Sequence, residues 1–389
     1  MKKITFIILG TIVSFIISFQ RTTPTVLYDE LADYVKQDDT KMGIYGSMYY
    51  FASFISFFFI GFFGSKLHLS YILSILLVIG GLGSLILSFS KSFLALCASR
   101  FIIGFGLGPT VMVISFIYRL DHDPRTAFLS QNFLFLFDMI GAIFAVGPFS
   151  SITVLHGWRT ALEIFAAITI ILSIIFFFLA PKVSLLNANT STQNLSEFDM
   201  SNRTSSVLTV FKNYIFSLLW YVFTISGTLN LSTMWCGPYL MNFYMFSGIE
   251  AGYVQITLFI GAMIGSIFFA YTYDKVKNSP FSRKIVHMFS NICLIIIAFS
   301  FMFLKSTSNY IIIIVLLFVL GFFGMGPVSI MFSIVSNSYS TQFHFLYSLS
   351  NGILYFITGI LQLISSVTVN SISKEKIDIE PNAFKLNFW

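Results

Sequence analysis

The stretch Arg100–Pro109 reads R-F-I-I-G-F-G-L-G-P, and a second version, F-V-L-G-F-F-G-M-G-P, stands at Phe318–Pro327. Phe101, Gly104 and Phe105 correspond to Phe318, Gly321 and Phe322. After a slip of one residue, Gly106, Gly108 and Pro109 correspond to Gly324, Gly326 and Pro327. The second version has no arginine. Both copies lie inside long apolar runs, and a Gly/Pro-interrupted hydrophobic segment recurring in two halves of a chain points to a transporter's substrate path. The chain therefore reads as two homologous halves, holding a charged and an uncharged version of the same helix.

Composition agrees. With 56% hydrophobic and 10% charged residues and a mean hydropathy of +0.86, the chain departs from soluble domains, in which about a quarter of residues are charged. The net charge of +6 does not indicate a nucleic-acid partner, because Lys and Arg are scattered singly between apolar segments. Cys97, Cys236 and Cys293 lie in separate apolar segments, without disulfide or zinc spacing. The opening Met1-Lys2-Lys3 and the apolar run after it imitate a signal peptide, but no small-residue cleavage site follows, so the run reads as a first span.

A bilayer is crossed by about 20 apolar residues, which predicts spans near 4–27, 43–63, 70–89, 93–118, 126–149, 161–180, 214–240, 251–272, 285–304, 309–335 and 343–367. Their lengths exclude barrel strands and require helices. On one side lie Lys2, Lys3, Lys66, Arg119, Arg125, Lys182, Arg203, Lys212, Lys275, Lys277, Arg283 and Lys284; up to the last span the other holds Lys36, Lys41, Lys91, Arg159 and Lys305. The positive-inside rule then places the N-terminus in the cytoplasm. The chain divides into an N-terminal bundle (1–180), a polar cytoplasmic loop (181–213) and a C-terminal bundle with an external tail (214–389). Sequons at Asn189, Asn194 and Asn202 fall in that loop and are discounted. Ala383-Phe384-Lys385-Leu386-Asn387-Phe388-Trp389 has the character of the start of a twelfth helix, so the second half is expected to lack its last span.

Six spans, a polar central loop and a repeated half resemble the major facilitator superfamily over nearly the whole chain, a fold of two six-helix bundles related by pseudo-symmetry of which the second here is expected to lack its last helix. Gly61 and Lys66 fit that family's signature between spans two and three, although Ser65 stands where its carboxylate belongs. The equivalent turn of the second half keeps Asp274 with Lys275, Arg283 and Lys284. The resemblance thus implies a gate of Lys66, Asp274, Lys275 and Arg283. Arg100 with Gly104 and Gly106 matches the fourth-span motif, and Gly147-Pro148 with Gly157-Trp158-Arg159 matches the passage from span five to six. F-Q-R-T-T-P from Phe19, Tyr49-Tyr50, W-C-G-P-Y-L from Trp235, and Asn351-Gly352 with Gln362 are similar to a subgroup of nutrient importers that includes phagosomal amino-acid and nucleoside transporters of intracellular bacteria. Phe57 and Phe59 stand where that subgroup carries glutamine and proline.

Ionisable groups inside a span cost at least ~2.5 kcal/mol and mark function. Arg21 lies ~9 Å before the outer end of span one, at 1.5 Å per residue, and Arg100 matches it in depth. The resemblance turns spans one and four to the central cavity, giving two guanidinium groups suited to a carboxylate or phosphate. Arg21 could instead snorkel to the interface. Asp138, with Gln131 and Asn132 one to two turns away, is either the proton-coupling site or the fixed partner of Arg100. The second half offers Asn230, Trp235, Tyr239 and Asn351 as substrate contacts. Pro24 and Pro238 break spans one and seven at equivalent places.

These residues lead to a multi-pass transporter of a bacterial inner membrane, monomeric, importing a small zwitterionic or anionic metabolite, an amino acid, with proton symport. An efflux antiporter, and a non-transporting receptor or inactive truncated form, remain as alternatives. No enzyme, cofactor or metal is implied: the 5 His are dispersed and no catalytic spacing occurs.

Overall fold

In the computed structural model, the described residues are 2–35, 38–63, 68–121, 124–179, 219, 221–276, 280–303, 310–328 and 343–379. Helix occupies each of the eleven expected positions. Span one is Lys2–Val26, span two Asp39–Phe63, span three Leu69–Phe89 and span six Trp158–Leu179. Span four runs Phe93–Leu107 and continues as Thr110–Asp121, and span five runs Pro124–Val146 and continues as Pro148–His156. Spans eight to eleven are Gly248–Val276, Pro280–Met302, Tyr310–Gly324 and Phe343–Ile379. Among the described residues, 8 helices are long and apolar enough to cross a membrane, while Met288–Phe301 and Tyr310–Gly324 are shorter apolar stretches. The central loop 181–213, with its sequons, and the tail after Ile379 lie outside the described residues.

Local chemistry sets the breaks. Ser92 caps span four by accepting from the Ala95 N–H at 3.3 Å. Pro109 and Pro148 interrupt spans four and five where the sequence pairs each with a preceding glycine. Gly157 turns the chain into span six with φ +80°, a conformation that a side chain would strain. Span seven departs most from a regular helix: residues 221–230 are α-helical, Leu231–Trp235 form a π turn, and Cys236–Tyr244 resume the α-helix.

The repeat that opens the sequence is visible in packing. Span four crosses span two so closely that a Cβ on Gly104 would overlap the Tyr49 carbonyl, and span ten crosses span eight so that a Cβ on Gly321 would overlap the Leu258 carbonyl. Contacts between the halves follow the same two-fold logic: two with eleven, five with eight, and one with seven. Side chains such as Leu94, Phe178, Phe299 and Ile267 remain exposed on the outside, where acyl chains would meet them.

Candidate functional site

Span one brings Ser14, Ile17 and Arg21 to one face, at helical spacing. Span five presents Gln131, Leu134, Phe135 and Asp138, while span eleven presents Tyr347, Asn351 and Tyr355, each four residues apart. These faces, with Phe57, Gly108, Met112, Tyr221, Ile225, Leu229 and Met325, enclose a cavity of about 100 Å³. About 10–15 Å³ accommodates one water centre, so several waters fit. Every lining residue of span one lies at or before Arg21, so the cavity occupies the half of the molecule from which span one starts, here the near half.

The Arg21–Asp138 ion pair forms its deep end. Arg21 Nη2 lies 2.6 Å from Asp138 Oδ2, with side-chain exposures of 10% and 11%. The same nitrogen donates to Ser18 Oγ at 3.1 Å, and Nη1 donates to the Tyr355 hydroxyl at 3.3 Å, across the two halves. Arg21 Nε is buried without a partner. Toward the near face, Gln131 Nε2 donates to the Tyr347 hydroxyl at 3.5 Å. Tyr221 donates to Asn351 Oδ1 at 3.2 Å.

Two alternatives left open by the sequence are decided here. Arg21 is buried, not snorkelling, because Asp138 and Tyr355 supply the partners that an interface would otherwise provide. The anticipated Arg100–Asp138 pair is not formed: span five packs on span one and delivers Asp138 to Arg21. Arg100, 1% exposed, donates instead from Nη1 to the Gln20 carbonyl at 2.7 Å and from Nη2 to the Arg21 carbonyl at 3.4 Å. Its guanidinium carbon lies 5.4 Å and 5.1 Å from the Tyr45 and Tyr49 ring centres.

Of the other anticipated contacts, Asn351 lines the cavity whereas Asn230, Trp235 and Tyr239 do not. Asn230 Nδ2 donates to Ser365 Oγ at 2.9 Å; Trp235 packs edge-on near Tyr28, and Tyr239 stacks on Phe243. Among the gate residues, Lys275 Nζ lies 4.5 Å from the Tyr271 ring centre. Lys66 lies outside the described residues, and Asp274 and Arg283 are described by their backbone alone.

Beyond Arg21 uncharged groups join the two halves, at Tyr50–Thr233 and Thr25–Gly237, and brace the second half at Gln362–Thr233 and Gln255–Ser232. Tyr50 and Thr233 share a hydrogen bond of 2.8 Å, and Gln362 Nε2 donates to Thr233 Oγ1 at 3.4 Å. The Gly237 N–H donates to Thr25 Oγ1 at 3.1 Å, and Gln255 Nε2 donates to the Ser232 carbonyl at 2.5 Å. The π turn of span seven sits at the centre of this closure, a location at which such turns often serve function. Tyr347 and Tyr355 were not singled out from sequence; their spacing of four around Asn351 is the signal that marks them.

The family model of the Major Facilitator Superfamily matches residues 10–367. A bacterial homolog to the human lysosomal transporter Spinster, inward-facing and unoccupied, is similar with a TM-score of 0.75 and 14% identity, covering 97% of this chain and 85% of that one. Its occupied form gives 0.71 at 14% identity, over 97% and 84%. The nucleoside transporter NupG, in a point-mutant form, gives 0.70 at 18% identity, over 98% and 94%. At these identities the likeness is one of fold. No curated protein sequence matches the chain.

Proposed function

Because the chain belongs to the Major Facilitator Superfamily, we propose that it imports an amino acid by alternating access with proton symport. The observation that carries this reading is the Arg21–Asp138 pair at the deep end of a cavity shared by both halves. Arg21 offers the positive charge that a substrate carboxylate needs, and Asp138 the group that takes up the proton. An incoming carboxylate replaces Asp138 on the guanidinium fork, and Tyr355 carries the change to the second half. Asp138, released, takes up one proton. The proton leaves when the substrate departs and the pair re-forms, so one proton accompanies one substrate. Opening the far face separates Thr25 from Gly237 and Tyr50 from Thr233, and these contacts are neutral, so their loss is cheap compared with breaking a buried ion pair.

Asn351 and Arg21 are the substrate-facing residues of this scheme, and Lys66, Asp274, Lys275 and Arg283 remain the candidates for the near-face gate. The distribution of Lys and Arg supports a cytoplasmic near face in a bacterial inner membrane, with the monomer as the working unit. A second reading has its own observation: Gln131, Asn351, Tyr221 and Tyr347 give the cavity a neutral, amide- and phenol-rich lining suited to a nucleoside, and NupG shares the fold. Uptake of radiolabelled amino acids and nucleosides into proteoliposomes, with and without an inward proton gradient, separates the two. Gradient-stimulated uptake of an amino acid alone supports the proposal. Uptake of nucleosides alone selects the second reading, and no uptake by folded protein overturns both in favour of a receptor role.

A further inference from the structure

We infer that Arg100 is a positioning residue: it fills the hydrogen-bond gap that Pro24 opens in span one and thereby holds Arg21 in the cavity wall. Pro24 lies inside the continuous helix Lys2–Val26. It has no N–H, so the carbonyl four residues back, that of Gln20, loses its helical donor, and the ring also crowds that oxygen. Inside a membrane span a freed carbonyl must be satisfied by a neighbour. Two neighbours do so: Thr23 Oγ1 donates at 2.9 Å, and Arg100 Nη1 reaches across from span four at 2.7 Å. Arg100 Nη2 extends the grip to the Arg21 carbonyl.

What faces the two terminal nitrogens of this guanidinium fits such a role, while its Nε is buried without a partner. Its planar fork lies beside the Tyr45 and Tyr49 rings, contacts that favour a cation without neutralising it. Among the described residues no carboxylate pairs with it; the buried pair belongs to Arg21 and Asp138. Arg100 does not line the cavity. Span one cannot rotate about its proline while Arg100 holds the carbonyls on either side of the Arg21 Cα, and the Arg21 side chain is therefore presented to Asp138 and Tyr355 in one orientation. The repeat in span ten has no arginine, consistent with a device needed only where a charged side chain follows the freed carbonyl.

The inference rests on the transport reading only in treating Arg21 as the cavity's cation, so its test reads the placement of Arg21 without transport. Wild type, Arg100→Met, Pro24→Ala and the double variant are reconstituted as full chains and treated with phenylglyoxal, and modification of Arg21 is followed by mass spectrometry. Arg100→Met is expected to raise the rate at Arg21 about tenfold, as loss of a charged hydrogen bond would. Adding Pro24→Ala restores a backbone donor to Gln20 and is expected to return the rate to within about twofold of Pro24→Ala alone. An unchanged rate in Arg100→Met, or a double variant as reactive as Arg100→Met, overturns the inference. Should Arg100→Met fail to fold, recovery of folded protein on adding Pro24→Ala is the expected result, and a double variant that also fails to fold while Pro24→Ala alone folds is the contradicting one. Loss of uptake in Arg100→Met with Arg21 unmoved would make Arg100 a direct substrate ligand instead.

Discussion

Spans one and seven each lose a backbone donor to a proline inside a helix, and the two halves hold the neighbouring backbone differently. In span one the carbonyl freed by Pro24 is held by a charged group of the same half, Arg100. In span seven, where a π turn precedes Pro238, the backbone is held by neutral groups: Gln255 on the Ser232 carbonyl and Thr25, from the opposite half, on the Gly237 N–H. A charged clamp within one half survives rotation of the halves, whereas a neutral clamp between halves must part. Under the proposed function, span one presents the cation and span seven opens the far face.

The largest expected effect concerns the charge that only the first half carries. Asp138→Ala leaves Arg21 buried and unpaired, which costs about 3 kcal/mol; the double variant Arg21→Met with Asp138→Leu should lose less than Asp138→Ala alone. Thermal unfolding in detergent compares them. If the single and double variants are equally destabilised, the pair is not a unit.

Next come the glycines that make the halves alike. Gly104→Ala and Gly321→Ala each place a methyl on a partner's backbone carbonyl, at a cost of roughly 1–3 kcal/mol. Similar losses in the two halves are expected from thermal unfolding. A tolerated Gly321→Ala would show that the repeat is one of sequence and not of packing.

Smaller effects test the neutral closure. Tyr50→Phe removes the bond to Thr233, and Thr25→Val the bond that the Gly237 N–H donates across the halves, each worth about 1 kcal/mol. Both should shift the protein toward the far-open state, seen as faster maleimide labelling of a cysteine placed at Met234, which packs against Gly46 of the opposite half. Slower labelling would contradict the role given to span seven.

The smallest effect is one of pH, in the linker between spans one and two. Burial, reinforced by the neighbouring Asp29 and partly offset by a backbone hydrogen bond, raises the Glu30 carboxyl above its usual range. The folded state then binds the proton more tightly than the unfolded state, so Glu30 favours folding at acid pH and that contribution is lost as pH rises through the folded-state value. Glu30→Gln should therefore raise the melting temperature at neutral pH, and the gain should shrink on acidification.

The fold was legible because membrane spans announce themselves by length and hydropathy, and because the glycines of span four recur in span ten. Arg21, Asp138 and Asn351 were legible because a polar group inside an apolar run has few other uses. Their pairing was not. Arg100 and Arg21 look alike in sequence, and only the packing of span five on span one decides which meets Asp138. Tyr355 and Thr25 were hidden for another reason: phenols and hydroxyls are common in spans, so their partners, and not their types, identify them. The π turn left no sequence signal beyond Pro238 itself.

The central claim is that the Arg21–Asp138 pair carries the proton and the substrate together. The direct measurement is amino-acid transport by Asp138→Asn in proteoliposomes, comparing exchange at equal pH with accumulation driven by an inward proton gradient. The account expects exchange to persist while gradient-driven accumulation falls to background, because asparagine keeps the shape of the site but takes up no proton. Accumulation at the wild-type level in Asp138→Asn would contradict it.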